Sequence, residues 1–331
     1  MKLRIPCLSL PIVTSILMGS GLTASATTAD VFAIPKGSGA ATTVAGFDGN
    51  IWFAATLGNY IGKMSPKGEL LATYKDGMSP LCGPDRIARG PDGNLWFTEL
   101  LCNKIGRITP DGKITEFSDG LSKGLIGARP FGITAGPDGH MWFTESGTGK
   151  IGRISTSGVI TEFNASSALK MPTDIVAGPD GNLWFTERFG GRIGRMSTQG
   201  KVTYFKTESA PAAMLVNINT GRDGALWFTE LFSKGTGSVG RITTAGQVTH
   251  FQQGLSKPGA PVSIVNGPDG NMWFVEYFGS KVGFVAPNGQ LHEEPHDFGI
   301  GVVPDGISVG PDGNLWFTEV LGDKIVRITL P

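Results

Sequence analysis

Short apolar runs rich in Ile, Leu, Trp and Phe alternate along this chain with Gly, Pro, Asp and Asn, and the alternation has a long period. The phrase Asp92-Gly93-Asn94-Leu95-Trp96-Phe97-Thr98-Glu99 returns around Trp142, Trp184, Trp227, Trp273 and Trp316, with a weaker version at Trp52. All seven tryptophans are thereby used, at spacings of 44, 46, 42, 43, 46 and 43 residues. A period of that length matches a four-stranded propeller blade. No apolar pattern of period 3.6 persists for ten residues, and Gly and Pro recur too often for helices.

A single unit illustrates the reading. Gly132 to Ala135 predicts a first strand, followed by Gly136-Pro137-Asp138-Gly139, where proline presets φ and glycine supplies the positive φ of a tight turn. Met141 to Glu145 predicts a second strand whose unbroken Met-Trp-Phe centre suits burial on both faces, as when blades stack. Lys150 to Ile154 and Val159 to Phe163 supply the third and fourth. The last unit has three strands, near Ile307, Leu315 and Ile325, and no fourth before Pro331. Asp30 to Pro35 resembles the fourth strands elsewhere and is predicted to pair into that last blade, closing the ring and removing open sheet edges. The expected fold is all-β, a seven-bladed propeller closed by an N-terminal strand.

Composition then narrows function. A length of 331 residues without a dividing linker fits a repeat architecture. Lys plus Arg and Asp plus Glu are both 28, so no basic field exists for a phosphate backbone or an anionic membrane, and nucleic-acid binding is not expected. Lys2 and Arg4, the apolar stretch Ile5 to Leu17 and Ala24-Ser25-Ala26 read as a secretory signal cleaved after Ala26. Residues 1–26 are therefore expected to be a signal peptide and 27–331 one propeller domain, secreted to the extracellular space or periplasm. No later segment reaches the length and apolarity of a membrane span, and a monomer is expected. Secretion permits a disulfide between Cys82 and Cys102; two buried free thiols are the alternative.

Strand direction sorts the loops. Turns from first to second and third to fourth strands are short and uniform, whereas the connections at the opposite face vary, and function is expected there. Where each first strand begins, beside the central channel, the blades offer Thr42, Asp85 and Arg86, Phe131, Thr173 and Asp174, Val216 and Asn217, Val262 and Ser263, and Asp305. Carboxylates, one arginine and apolar walls suit a small-molecule pocket. The candidate catalytic residues are Asp305, Asp85 and Glu276; Arg86, Phe131, Asp174, Arg188, Tyr277 and Phe278 are the candidate substrate contacts.

Glu276 enters by elimination. The glutamates ending the second strands, Glu99, Glu145, Glu187, Glu230, Glu276 and Glu319, are expected to pair with third-strand arginines at Arg107, Arg153, Arg195, Arg241 and Arg327. Phe284 stands where blade six would carry that arginine, which leaves Glu276 without the expected partner. Among the histidines, only His292 and His296 fall in a variable connection; a solvated loop is the preferred reading there and no metal site is assigned.

The repeated Gly-Pro-Asp-Gly-Asn-Leu-Trp-Phe-Thr-Glu, followed by Lys-Ile-Gly-Arg-Ile-Thr, resembles the virginiamycin B lyase (streptogramin lyase) family over nearly all of the mature chain. The resemblance implies a seven-bladed propeller and, for the true lyases, Mg²⁺-assisted elimination that opens a cyclic depsipeptide at its ester. It further implies a histidine base with supporting His and Glu residues in the last two blades. Those histidine positions fall on Val262 and Asp305, and the metal-associated glutamates on Val303 and at or next to Val320, so none of the four identities is kept. The cofactor is accordingly left unassigned.

Two readings follow. One is an enzyme descended from the lyase scaffold, acting on a cyclic or polyketide-like molecule by elimination, lactone opening or cyclisation; the other is a non-catalytic secreted binding propeller. Authentic virginiamycin B lyase activity is not expected.

Overall fold

In the computed structural model the described residues are 27–330, apart from 124–126, 210–212, 258 and 295–302. The expected signal segment and His296 lie outside them. Seven four-stranded antiparallel sheets succeed one another along the chain, six of them meanders of consecutive strands and the seventh completed by the first strand of the chain. Blade two shows the plan, with strands Pro84–Arg89, Leu95–Glu99, Lys104–Ile108 and Ile114–Phe117. First strands of adjacent blades face one another around the axis, and the last blade's first strand, Pro304–Val309, meets that of blade one, Ala40–Ala45. The ring is closed as expected: Thr28–Ala33 pairs antiparallel with Lys324–Thr329, with Phe32 opposite Ile325 and Ala29 opposite Ile328.

Each letter of the repeated phrase has a physical task. The turn aspartate accepts a hydrogen bond from the indole four residues later, at 3.0 Å for Asp92 and Trp96 and between 2.9 and 3.2 Å in the other blades. A buried indole N–H thereby finds its partner locally. In blades one to five the indole stacks on a fourth-strand aromatic ring, Trp96 on Phe117 at 5.5 Å, and in blade seven on the closing strand's Phe32. In blades one to six the phenylalanine after the Trp lies over the third-strand glycine, and a Cβ on Gly106 would sit 2.1 Å from Phe97 Cζ, so a larger residue there would displace the ring as it stands; blade seven has Val326 opposite Phe317 instead.

The threonine links neighbouring blades. Thr98 Oγ1 accepts the Arg86 N–H at 3.2 Å and donates to the Phe131 carbonyl of the next blade at 2.8 Å. Thr144 and Thr318 make the same inter-blade bond, to Thr173 O and Ala41 O. Cys82 and Cys102 form a disulfide on the variable face of blade two. No helix among the described residues is long and apolar enough to cross a membrane.

The pairing expected between glutamates and arginines does not form. Register places Arg107 opposite Trp96 and Glu99 opposite Lys104, and side chains three residues apart on a strand point to opposite faces. Arg107 therefore lies over the Trp96 ring at 5.4 Å and reaches Asp92 at 3.8 Å; Arg153, Arg195, Arg241 and Arg327 likewise pair with the turn aspartates. Phe284 occupies this indole-covering position in blade six, 4.7 Å from Trp273, so it deprives Glu276 of nothing.

Candidate functional site

The channel-mouth residues sit on β-bulges. In blade two, Pro84 pairs with Glu99 and Ile87 with Phe97, so Asp85 and Arg86 together oppose the single residue Thr98. The same shift carries Phe131, Asp174, Asn217 and Asp305 in blades three, four, five and seven. Bulges re-aim side chains next to functional sites. The second-strand threonine braces each one by accepting a backbone N–H that the ladder leaves unpaired, as Thr186 does for Asp174 and Thr318 for Gly306.

Four blades thereby converge on Arg86, and Asn217 of a fifth holds Asp174. Its Nε lies 3.4 Å from Asp85 Oδ1, its Nη2 lies 3.4 Å from Asp305 Oδ1, and its guanidinium covers the Phe131 ring at 4.9 Å. Asp174 completes the group: its Oδ2 accepts from Asn217 Nδ2 at 2.6 Å and from the Ile218 N–H at 3.0 Å. Burial opposes the arginine's charge, but Asp305, Asp85 and Asp174 outweigh it and raise its pKa. Burial also raises Asp85, against Arg86 and with help from the Asp305 charge, and pushes Asp174 up to about 6 against the Ile218 N–H and Arg86. A cavity of about 180 Å³ opens here, lined among others by Thr42, Arg86, Asp174, Asn217 and Ser263.

Glu276 stands outside this group. Its cross-strand neighbour is Lys281, and its buried carboxyl is raised to about 8 by desolvation and by the charge of Glu293. Glu99 has the same surroundings in blade two, raised to about 8 by burial and then by Glu116. Glu116 itself is lowered despite burial, because Lys104 and Ser79 donate to it. Glu276 is thus one of a repeated set of buried acids rather than a singular one.

Since Glu99 and Glu276 favour their protonated forms in the folded chain, stability is expected to fall as pH rises from about 4.5 towards 8. Each group contributes at most about 1.4 kcal/mol per pH unit. Glu99→Gln removes one contribution, so its urea midpoint should exceed that of the wild type at pH 8 and match it at pH 4.5. Parallel pH profiles for the two proteins would refute this account.

Around the mouth lies a feature that residue-by-residue reading missed. Two positions after the second-strand acid, or after Ala55 in blade one, stand Leu57, Leu101, Phe189, Phe232, Phe278 and Leu321, each 40 to 71 % exposed. Blade three has Gly147 there. The crown was detectable as an apolar column in an otherwise polar part of the aligned repeats. Tyr277 packs edge-on against Phe278 at 5.0 Å, and Phe278 lies 6.1 Å from Phe232, so these candidates belong to the crown. Arg188 begins the same connection in blade four and has no ion pair with the Arg86 group among the described residues.

The positions implied for a metal do not fit one. The Val320 N–H donates to Val303 O at 3.0 Å, so the two places converge as a metal site would require, but both side chains are apolar. Magnesium needs oxygen ligands in near-octahedral geometry. The adjacent Glu319 is buried, its Oε2 3.9 Å from Lys324 Nζ.

The virginiamycin B lyase family model matches residues 27–298. A streptogramin B lyase structure is 29 % identical with a TM-score of 0.84, over 92 % of this chain and 98 % of that one. Virginiamycin B lyase from Staphylococcus aureus is 33 % identical with a TM-score of 0.83, over 92 % of this chain and all of that one. A catalytically inactive variant of the Staphylococcus aureus enzyme with quinupristin is 32 % identical with a TM-score of 0.83, again over 92 % and 100 %. No curated protein matches significantly.

Proposed function

Because the chain belongs to the virginiamycin B lyase family, we propose that it is a secreted propeller that binds a compact, largely apolar small molecule at the channel mouth and acts on it without a metal. The supporting observation is Arg86, held among Asp85, Asp174 and Asp305 on the face whose connections carry the exposed apolar crown. The apolar body of a cyclic or polyketide-like ligand rests on Phe131 and the crown, while Arg86 takes a carbonyl or carboxylate oxygen. In an elimination, Asp305 accepts the proton from the carbon that becomes unsaturated, and Arg86 receives the departing carboxylate. Cyclisation needs only the shaped walls and the donor.

Asp305 already engages Arg86 at 3.4 Å, which also favours a second reading in which the site binds its ligand without converting it. Quinupristin, the ligand of the related structure, serves as the test compound. Calorimetric titration should show one saturable site that survives EDTA and weakens about tenfold in Phe131→Ala, the loss expected for an aromatic wall and its cation contact. Chromatography should show no magnesium-dependent ring opening. Asp305→Asn separates the readings, because a converting site loses turnover while retaining affinity. Ring opening that requires magnesium would overturn the proposal, as would binding indifferent to Phe131.

A further inference from the structure

Blade four departs from the repeat in a way the channel mouth does not use. In blades two, three and six a fourth-strand glutamate faces the third-strand lysine: Lys104 with Glu116, Lys150 with Glu162 and Lys281 with Glu293. The corresponding residue of blade four is Tyr204, opposite Gly194 as Glu116 is opposite Gly106. The third-strand cation is Arg192, which turns to the second-strand acid: Nε and Nη2 bind Glu187 at 2.7 and 2.9 Å. Its guanidinium also covers Tyr204 at 4.1 Å. Arg192 is thereby compensated and immobilised.

Further positive charge lies beside it. Lys206 is the direct cross-strand partner of Arg192, a like-charge pairing that is unfavourable without a counter-charge. Lys170 reaches the same place from the start of the blade, and neither lysine has an ion-pair partner among the described residues. Between them lies a cleft of about 670 Å³, within the range of small-molecule sites, with Phe189, Ala213 and Met214 as apolar walls. Glu208 also lines it, so with Arg192 set against Glu187 the cleft retains one net positive charge. None of its lining residues lines the channel cavity, and Phe189 is the one crown residue among them.

We infer that this cleft, over the junction of blades four and five, is a second binding site for an organic anion with an aromatic or acyl body. The body lies on Phe189 and Met214, and the anionic head sits between Lys170 and Lys206. A head of carboxylate, sulfate or sulfonate type meets both lysines and offsets the repulsion between Lys206 and Arg192.

Two dyes that differ only in their anionic head test the inference. Fluorescence titration with 8-anilino-1-naphthalenesulfonate should give one saturable site, and its Kd should rise at least tenfold in Lys170→Gln/Lys206→Gln. The uncharged N-phenyl-1-naphthylamine should bind wild type and double variant within a factor of two. Both substitutions are at the surface, so the melting temperature should stay within about 2 °C, the small effect expected of surface changes. Asp305→Asn, which alters the channel mouth, should leave the sulfonate affinity unchanged. Unaltered sulfonate binding in the double variant would overturn the inference, as would equal loss of both dyes or loss in Asp305→Asn. These outcomes are independent of quinupristin binding at the channel mouth.

Discussion

Deleting residues 27–33 is expected to abolish cooperative folding of the entire ring, not of one blade alone. The strand Thr28–Ala33 supplies six cross-strand pairs to Lys324–Thr329, and Arg327 holds Asp30 at 2.7 Å. Phe32 covers Trp316 at 5.5 Å and also packs against Gly68 of blade one, so one ring bridges the first and last blades. Without it a bare edge strand and an uncovered indole face solvent, a template for intermolecular pairing. Phe32→Ala alone should cost about 3 kcal/mol, the lower end for a large aromatic truncation, because Phe32 is only partly buried. That corresponds to a fall in melting temperature of roughly 5 °C for a chain of this size.

The full deletion should leave aggregate or a non-cooperative transition in calorimetry. A circular permutant placing residues 27–33 after residue 330 makes blade seven a continuous meander and should restore the transition. A deletion variant that melts at the same temperature as the full chain would show that closure is dispensable.

Arg86→Ala should have the next largest effect, because it leaves Asp85, Asp174 and Asp305 facing one another without their shared cation. Breaking such a partly buried cluster typically costs about 3–5 kcal/mol. The deficit must depend on pH. Burial already raises Asp85 and Asp174 above the ordinary 3.8, and removing the cation raises them further. A carboxyl with a raised folded-state pKa loses stability as pH climbs from the unfolded value through the folded one. Urea midpoints of variant and wild type should therefore differ most near pH 8 and approach each other near pH 4. A deficit of equal size at both values would mean that the lost packing on Phe131, rather than charge, is responsible.

The second-strand glutamates mark the limit of what local pattern specifies. The repeat period and the Glu column were visible, but which side chain faces which depends on register. Lys104, not Arg107, lies opposite Glu99, and one step along a strand reverses the face. Phe284 in blade six therefore leaves Glu276 with its cross-strand lysine, Lys281, as Glu99 keeps Lys104, because the arginine position lies three residues further along the strand. Channel candidates fared differently: their placement at the start of each first strand was legible from the turn phrases, and the structure gathers Asp85, Arg86, Phe131, Asp174 and Asp305 there. That they stand on bulges was not legible, since a bulge is a relation between two strands.

Turn chemistry, strand length and period are local properties, carried by Pro-Asp-Gly and Trp-Phe-Thr-Glu wherever they stand, so the amino-acid sequence alone determined seven blades, their order and the closing strand. Contacts between residues remote along the chain are not local. Arg86 and Asp305, 219 residues apart, meet only because the ring returns the last blade beside the first. The basic cleft at blade four likewise arises where blades four and five meet, and tertiary structure alone decided it.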